Sequence, residues 1–190
     1  MKNTIKLFGI IAFAVVFAFS FAACNNNGDD GGGGTADPAL NAHWVNSAAG
    51  MDLVLNNGNF TFGLNLGGGS FEALKGTYTT SGNTLTMKFN QVNGVLLVLY
   101  ELDELGISAS QWYDEPEFKA AIIDFFKSYG ATQAEAEAMY NEDEDLAQAV
   151  KELFGSHKGT YSLNAAGTTL TLTMEESDLF EDEPIVLSKQ

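Results

Sequence analysis

The chain is predicted to be mainly β: about nine short antiparallel strands, interrupted once by helices. Three observations carry this. First, apolar and polar residues alternate through several short runs bounded by Gly and Asn, the pattern of half-buried strands. Second, one hairpin pattern occurs twice. Gly76-Thr77-Tyr78-Thr79-Thr80-Ser81-Gly82-Asn83-Thr84-Leu85-Thr86-Met87 returns as Gly159-Thr160-Tyr161, a turn through Gly167, and Thr169-Leu170-Thr171-Leu172. Third, residues 108–155 change to a helical period between the two copies.

Taken in order, the chain opens with Lys2 and Lys6, then an almost wholly apolar run from Leu7 to Ala23. Length and flanks read as a secretory signal peptide over residues 1–23, short for a membrane span. The run ends Phe21-Ala22-Ala23-Cys24. Small residues before a lone Cys resemble the lipobox of bacterial lipoproteins, with Phe21 in place of the usual Leu. That resemblance implies cleavage before Cys24, which becomes the first residue of the mature chain and is acylated. Cys24 is the sole cysteine, so no intrachain disulfide competes for it. A lipid anchor contributes about 0.8 kcal/mol per buried methylene, and more than one acyl chain gives stable attachment. Residues 24–40 are then expected to form a Gly- and Asn-rich tether, and 41–190 the folded domain.

Within that domain, Ala42–Asn46 reads as a first strand. Met51, Leu53 and Leu55 share one face of a second, and Asn56-Asn57-Gly58 is a strong hairpin turn. Phe60, Phe62 and Leu64 share a face of a third strand. Phe71–Thr80 and Thr84–Gln91 are the fourth and fifth. Val95–Tyr100 is apolar at every position, which reads as a strand covered on both faces. The helical segment is the expected cover. In it, Asp114 or Glu115 with Pro116 makes an N-terminus, and Phe118, Ile122, Phe125, Phe126 and Tyr129 form an apolar stripe. Thr132 with Glu135 is a capping box, and Asn141–Glu144 supplies a second cap. Leu146, Val150, Leu153 and Phe154 are the buried face of the last helix. The second Gly-Thr-Tyr hairpin, an acidic loop at 175–183 and a closing strand over Pro184–Ser188 complete the chain.

Trp44, the Leu53-Val54-Leu55-Asn56-Asn57-Gly58-Asn59-Phe60 hairpin and the two Gly-Thr-Tyr hairpins resemble the lipocalin-like domain of bacterial envelope lipoproteins. The resemblance covers most of residues 42–100 and 158–188. It implies an antiparallel up-and-down β-barrel of eight to nine strands, here carrying a helical insert at 108–155. It implies a fold and a location in the cell envelope, not a ligand.

The net charge is −16, and all nine basic residues are Lys. No basic patch offers itself to nucleic acid or to anionic lipid, so membrane attachment is expected through lipid alone. His43 and His157 lack further ligands at metal spacing, and read as surface residues. The acidic groups at Asp114–Glu117, Glu142–Asp145 and Glu175–Glu183 fit no calcium loop and read as caps and solvated loops. No nucleophile elbow, Cys/His pair, zinc helix or phosphate loop is present, so no enzyme activity and no cofactor are expected. Phe60, Phe62, Phe71, Tyr78, Phe89 and Tyr100 are the candidate lining of an apolar ligand site, with core packing as the plainer role. The expected function is a lipid-anchored envelope lipoprotein, more at home in the outer membrane than the inner, that binds a small apolar ligand. The alternative is a non-enzymatic interaction module with a solid barrel and a protein partner of unknown kind.

Overall fold

The computed structural model describes residues 35–65, 69–99, 105–175 and 184–190. The expected signal peptide, Cys24, residues 25–34, Tyr100 and most of the acidic loop after Glu175 lie outside them. Nine strands occur among the described residues: β1 Ala42–Asn46, β2 Met51–Asn56, β3 Asn59–Asn65, β4 Ser70–Ser81, β5 Thr84–Asn93, β6 Trp112–Tyr113, β7 Ser156–Leu163, β8 Thr169–Met174 and β9 Ile185–Lys189.

Eight of them close into an antiparallel up-and-down barrel. Each strand from β1 to β5 pairs with the next, β5 pairs with β7, β7 with β8 and β8 with β9. The ring closes where β9 returns to β1, with Trp44 opposite Lys189. The short β6 is extra, adding to the end of β5 at Val92 and Asn93. The β2–β3 turn has Asn57 at φ 48° and Gly58 at φ 82°, the left-handed pair that a tight two-residue hairpin demands.

Strand periodicity sets the interior. Leu53 and Leu55 on β2, Phe60 on β3, Leu85, Met87 and Phe89 on β5, and Leu170, Leu172 and Met174 on β8 are all buried. One end of the barrel is sealed by the segment before β1. Asp37 caps a single 3-10 turn at Pro38–Leu40, and Leu40 is fully buried. The Trp44 indole donates to the Leu40 carbonyl at 2.8 Å. The Tyr78 hydroxyl donates to Asn41 at 3.1 Å, and the Tyr161 hydroxyl to Asp37 at 2.9 Å. The Thr80 amide donates to the Thr35 carbonyl at 3.1 Å. The folded unit therefore starts by Thr35, several residues inside the expected tether.

Four helices are described between β5 and β7: α1 Gly94–Leu99, α2 Glu115–Ser128, α3 Gln133–Glu142 and α4 Glu144–Leu153. The expected strand at Val95–Tyr100 is corrected by α1. A six-residue apolar run fits either state. Here the Asn93 side chain accepts from the Val95 amide at 2.9 Å and starts the turn. Leu96 and Leu97 then enter the core as helical residues, so no strand remains for the insert to cover.

The remaining helices form where their caps predict. Asp114 and Thr132 each make a capping box with the Glu three residues on, and Asp143 caps α4. Phe118, Ile122, Ile123, Phe125 and Phe126 are the buried residues of α2. Tyr129 leaves that stripe: it sits at the C-cap and is 63% exposed. Phe118 packs on Phe154 with ring centroids 6.1 Å apart, joining the first helix of the group to the residue that ends the last.

Candidate functional site

Alternation places the expected aromatic set, and the barrel splits it by height. Phe60, Tyr78 and Phe89 are buried. Phe60 meets Phe89 edge to face at 5.6 Å, the arrangement favoured for packed aromatic pairs. Tyr78 is held by Asn41 at the sealed end, where burial raises its hydroxyl pKa. These three are core. Phe62 and Phe71 are only half-buried. Tyr100 lies outside the described residues.

Phe62 and Phe71 belong to a different group. Phe62 pairs across the ladder with Leu53 and Leu74, both buried, which puts it on the inner face. Phe71 lies opposite Leu64, and Leu64 opposite Met51. Ile185 lies opposite Leu172, which is buried. Met51, Phe62, Leu64, Phe71 and Ile185 are thus inner-facing, apolar and half-buried. They stand toward the end opposite the Pro38–Leu40 turn, the mouth of the barrel. Met51, Leu64 and Ile185 were not among the expected lining residues. The signal for them was present, since each continues the inner parity of a strand whose other members are buried.

The two histidines are not brought together. His43 projects from the outer face of β1 to Asp52 and is exposed. His157 is not the surface residue expected. It faces inward on β7, is 7% exposed, and is the one buried polar side chain among the described residues. Its ring stacks on Phe89 at 4.7 Å, and its Nε2–H donates to the Glu152 carbonyl at 3.0 Å. Burial pushes its pKa down to about 4, partly opposed by that hydrogen bond. His157 therefore ties the end of α4 to the barrel core as a neutral ring.

Among the described residues, no group of three or more His, Cys, Asp or Glu could hold a metal ion. The acids Asp114, Glu117 and Asp143 are engaged at helix N-termini. No helix among the described residues is long and apolar enough to cross a membrane. Among the described residues, what the inner face toward that end offers is apolar contact. No protein-family profile, curated protein or solved structure matches the chain.

Proposed function

We propose that this chain is a lipid-anchored, non-enzymatic envelope lipoprotein whose barrel, similar to the lipocalin-like domain of bacterial envelope lipoproteins, binds a small apolar ligand at its mouth. The observation that carries the ligand reading is the inner-facing, half-buried group of Met51, Phe62, Leu64, Phe71 and Ile185 at the end opposite the sealed one. Apolar contact with a few aromatic rings is the usual lining of small-molecule sites. The anchor rests on the sequence around Cys24, where palmitate and a diacylglycerol are the chemistry a lipobox cysteine receives. Asn25 follows the cysteine where Asp would favour inner-membrane retention in some bacteria, so the outer membrane is the proposed address.

Titration of the purified protein with Nile red, a neutral apolar dye, tests the ligand site. Saturable fluorescence is expected, with Phe62→Ala and Phe71→Ala each weakening binding about tenfold, or roughly 1.4 kcal/mol. Val186→Ala, on the outer face of β9, should leave it unchanged. Absence of saturable binding, together with no lipid co-purifying in native mass spectrometry, overturns the ligand reading. Intact mass of the membrane-extracted protein tests the anchor separately: an unmodified Cys24 or a retained signal peptide overturns it.

The interaction-module alternative draws on the packed Phe60–Phe89–Tyr78 core and on two exposed apolar residues of the insert. Tyr129 is 63% exposed and Met139 is 40% exposed. An empty barrel with no dye site would favour it.

A further inference from the structure

The same barrel carries information about how it stands on a membrane. We propose that the sealed end faces the bilayer holding the lipid anchor and that the mouth opens away from it, so an apolar ligand enters from the aqueous side and is not drawn directly out of the anchoring leaflet. The inference rests on the anchored-lipoprotein reading above.

Two independent observations support it. The first is where the chain emerges. Thr35, the first described residue, is bonded to Thr80 at the end of β4, through the Thr80 amide at 3.1 Å and its hydroxyl at 2.7 Å. Asp37 and Asn41 are bonded to Tyr161 and Tyr78 at the same end. The anchor is therefore joined to the sealed end. Thr35 is eleven residues on from Cys24, a path of about 40 Å at full extension. The twelve residues of β4 run the height of the barrel. At about 3.3 Å per residue and a tilt of about 40°, that height is roughly 30 Å. Turning the mouth to the bilayer would commit most of the path to running back along the wall. Resting the sealed end on the bilayer needs none of it.

The second observation is charge. The turns at the sealed end, Asn56–Asn59, Ser81–Thr84 and Asn164–Thr168, hold no charged residue. Asp37 and Lys189 stand beside them and offset one another in sign. At the mouth end the short joins at residues 47–50 and 66–69 are likewise uncharged, but the two long ones are opposite in character. Residues 94–155 and 175–183 together hold 20 of the 25 Asp and Glu but only three of the nine Lys. An anionic lipid surface repels such an end over about a Debye length of 8–10 Å and tolerates the neutral one.

The test uses the native acylated protein, labelled with bimane at a single introduced cysteine. Ala165→Cys places the label in the β7–β8 turn at the sealed end, and Ala48→Cys in the β1–β2 turn at the mouth. Both positions are exposed. A Cys24 whose sulfur carries the diacylglyceryl group does not take the label. The proteins are reconstituted in phosphatidylethanolamine/phosphatidylglycerol vesicles containing a lipid with a nitroxide headgroup. Quenching is expected to be several-fold stronger at position 165 than at 48. Equal quenching, or stronger quenching at 48, overturns the orientation. Flotation of the vesicles and the label count by mass report on the anchor itself. A chain that fails to float, or takes two labels, overturns the anchored reading and this inference with it, by a different measurement.

Discussion

Gly76 and Gly159 open the two copies of the repeated hairpin pattern, and the structure gives both the same reason. A Cβ on Gly76 would lie 2.0 Å from the Lys88 carbonyl oxygen and 2.5 Å from the Phe60 ring. One on Gly159 would lie 2.6 Å from the Thr173 carbonyl oxygen and 2.9 Å from the Met174 sulfur. Each glycine clears the inner wall, and the tyrosine two residues on reaches the sealed end. Gly76→Ala is expected to cost about 3 kcal/mol or more in urea unfolding, because backbone must move to admit it. Gly82→Ala is the contrast: φ is 60° but nothing lies within 4 Å, so about 1 kcal/mol is expected. His157 makes a pH prediction. Its folded pKa, near 4, is below its ordinary 6.5, so the unfolded chain takes the proton first. Its contribution is complete above about pH 6.5 and is lost as pH falls toward 4, by roughly 3 kcal/mol in all. His157→Gln should fall less steeply in melting temperature than the wild type across that window.

At the scale of elements, caps and turns were readable and the short apolar run was not. Asp114-x-x-Glu117 and Thr132-x-x-Glu135 place two helix starts because each side chain has one nearby amide to satisfy. Asn57-Gly58 places a hairpin because few other residues accept its dihedrals. Val95–Leu99 has only the Asn93 side chain at its start, which fixes one turn and not the residues after it. Its conformation follows from what packs around it, and every position being apolar removes the periodicity that separates helix from strand. The outcome is testable at two neighbouring positions. Leu96 is 5% exposed in the core, while Val98 is half-buried. Leu96→Asp is expected to cost about 3 kcal/mol or more by burying a carboxylate without a partner, and Val98→Asp about 1. Equal losses, as a strand covered on both faces would give, would contradict the helix.

Over the whole molecule, alternation tells which face of a strand is inside but not how high a residue stands or what closes each end. That is why one list of inward aromatics mixes Phe62 and Phe71, which are half-buried, with Phe60, Tyr78 and Phe89 of the packed half. The sealing of one end depends on Asp37 and Leu40, in a stretch whose composition reads as linker, and on Asn41 just after it. Their partners, Tyr161, Trp44 and Tyr78, lie as far as 124 positions along the chain, a distance no local pattern reports. The closure of the ring has a consequence of its own. β1 finds its second neighbour only in β9, where Trp44 meets Lys189 and Val45 meets Ser188. A chain delivered amino end first has no means of completing its hydrogen-bonded circuit until Ser188 and Lys189 are free. Barrels whose pairing is this non-local fold late and slowly. Until that pairing forms, β1 keeps one unpaired edge, so the first strand to emerge is the last to be fully paired.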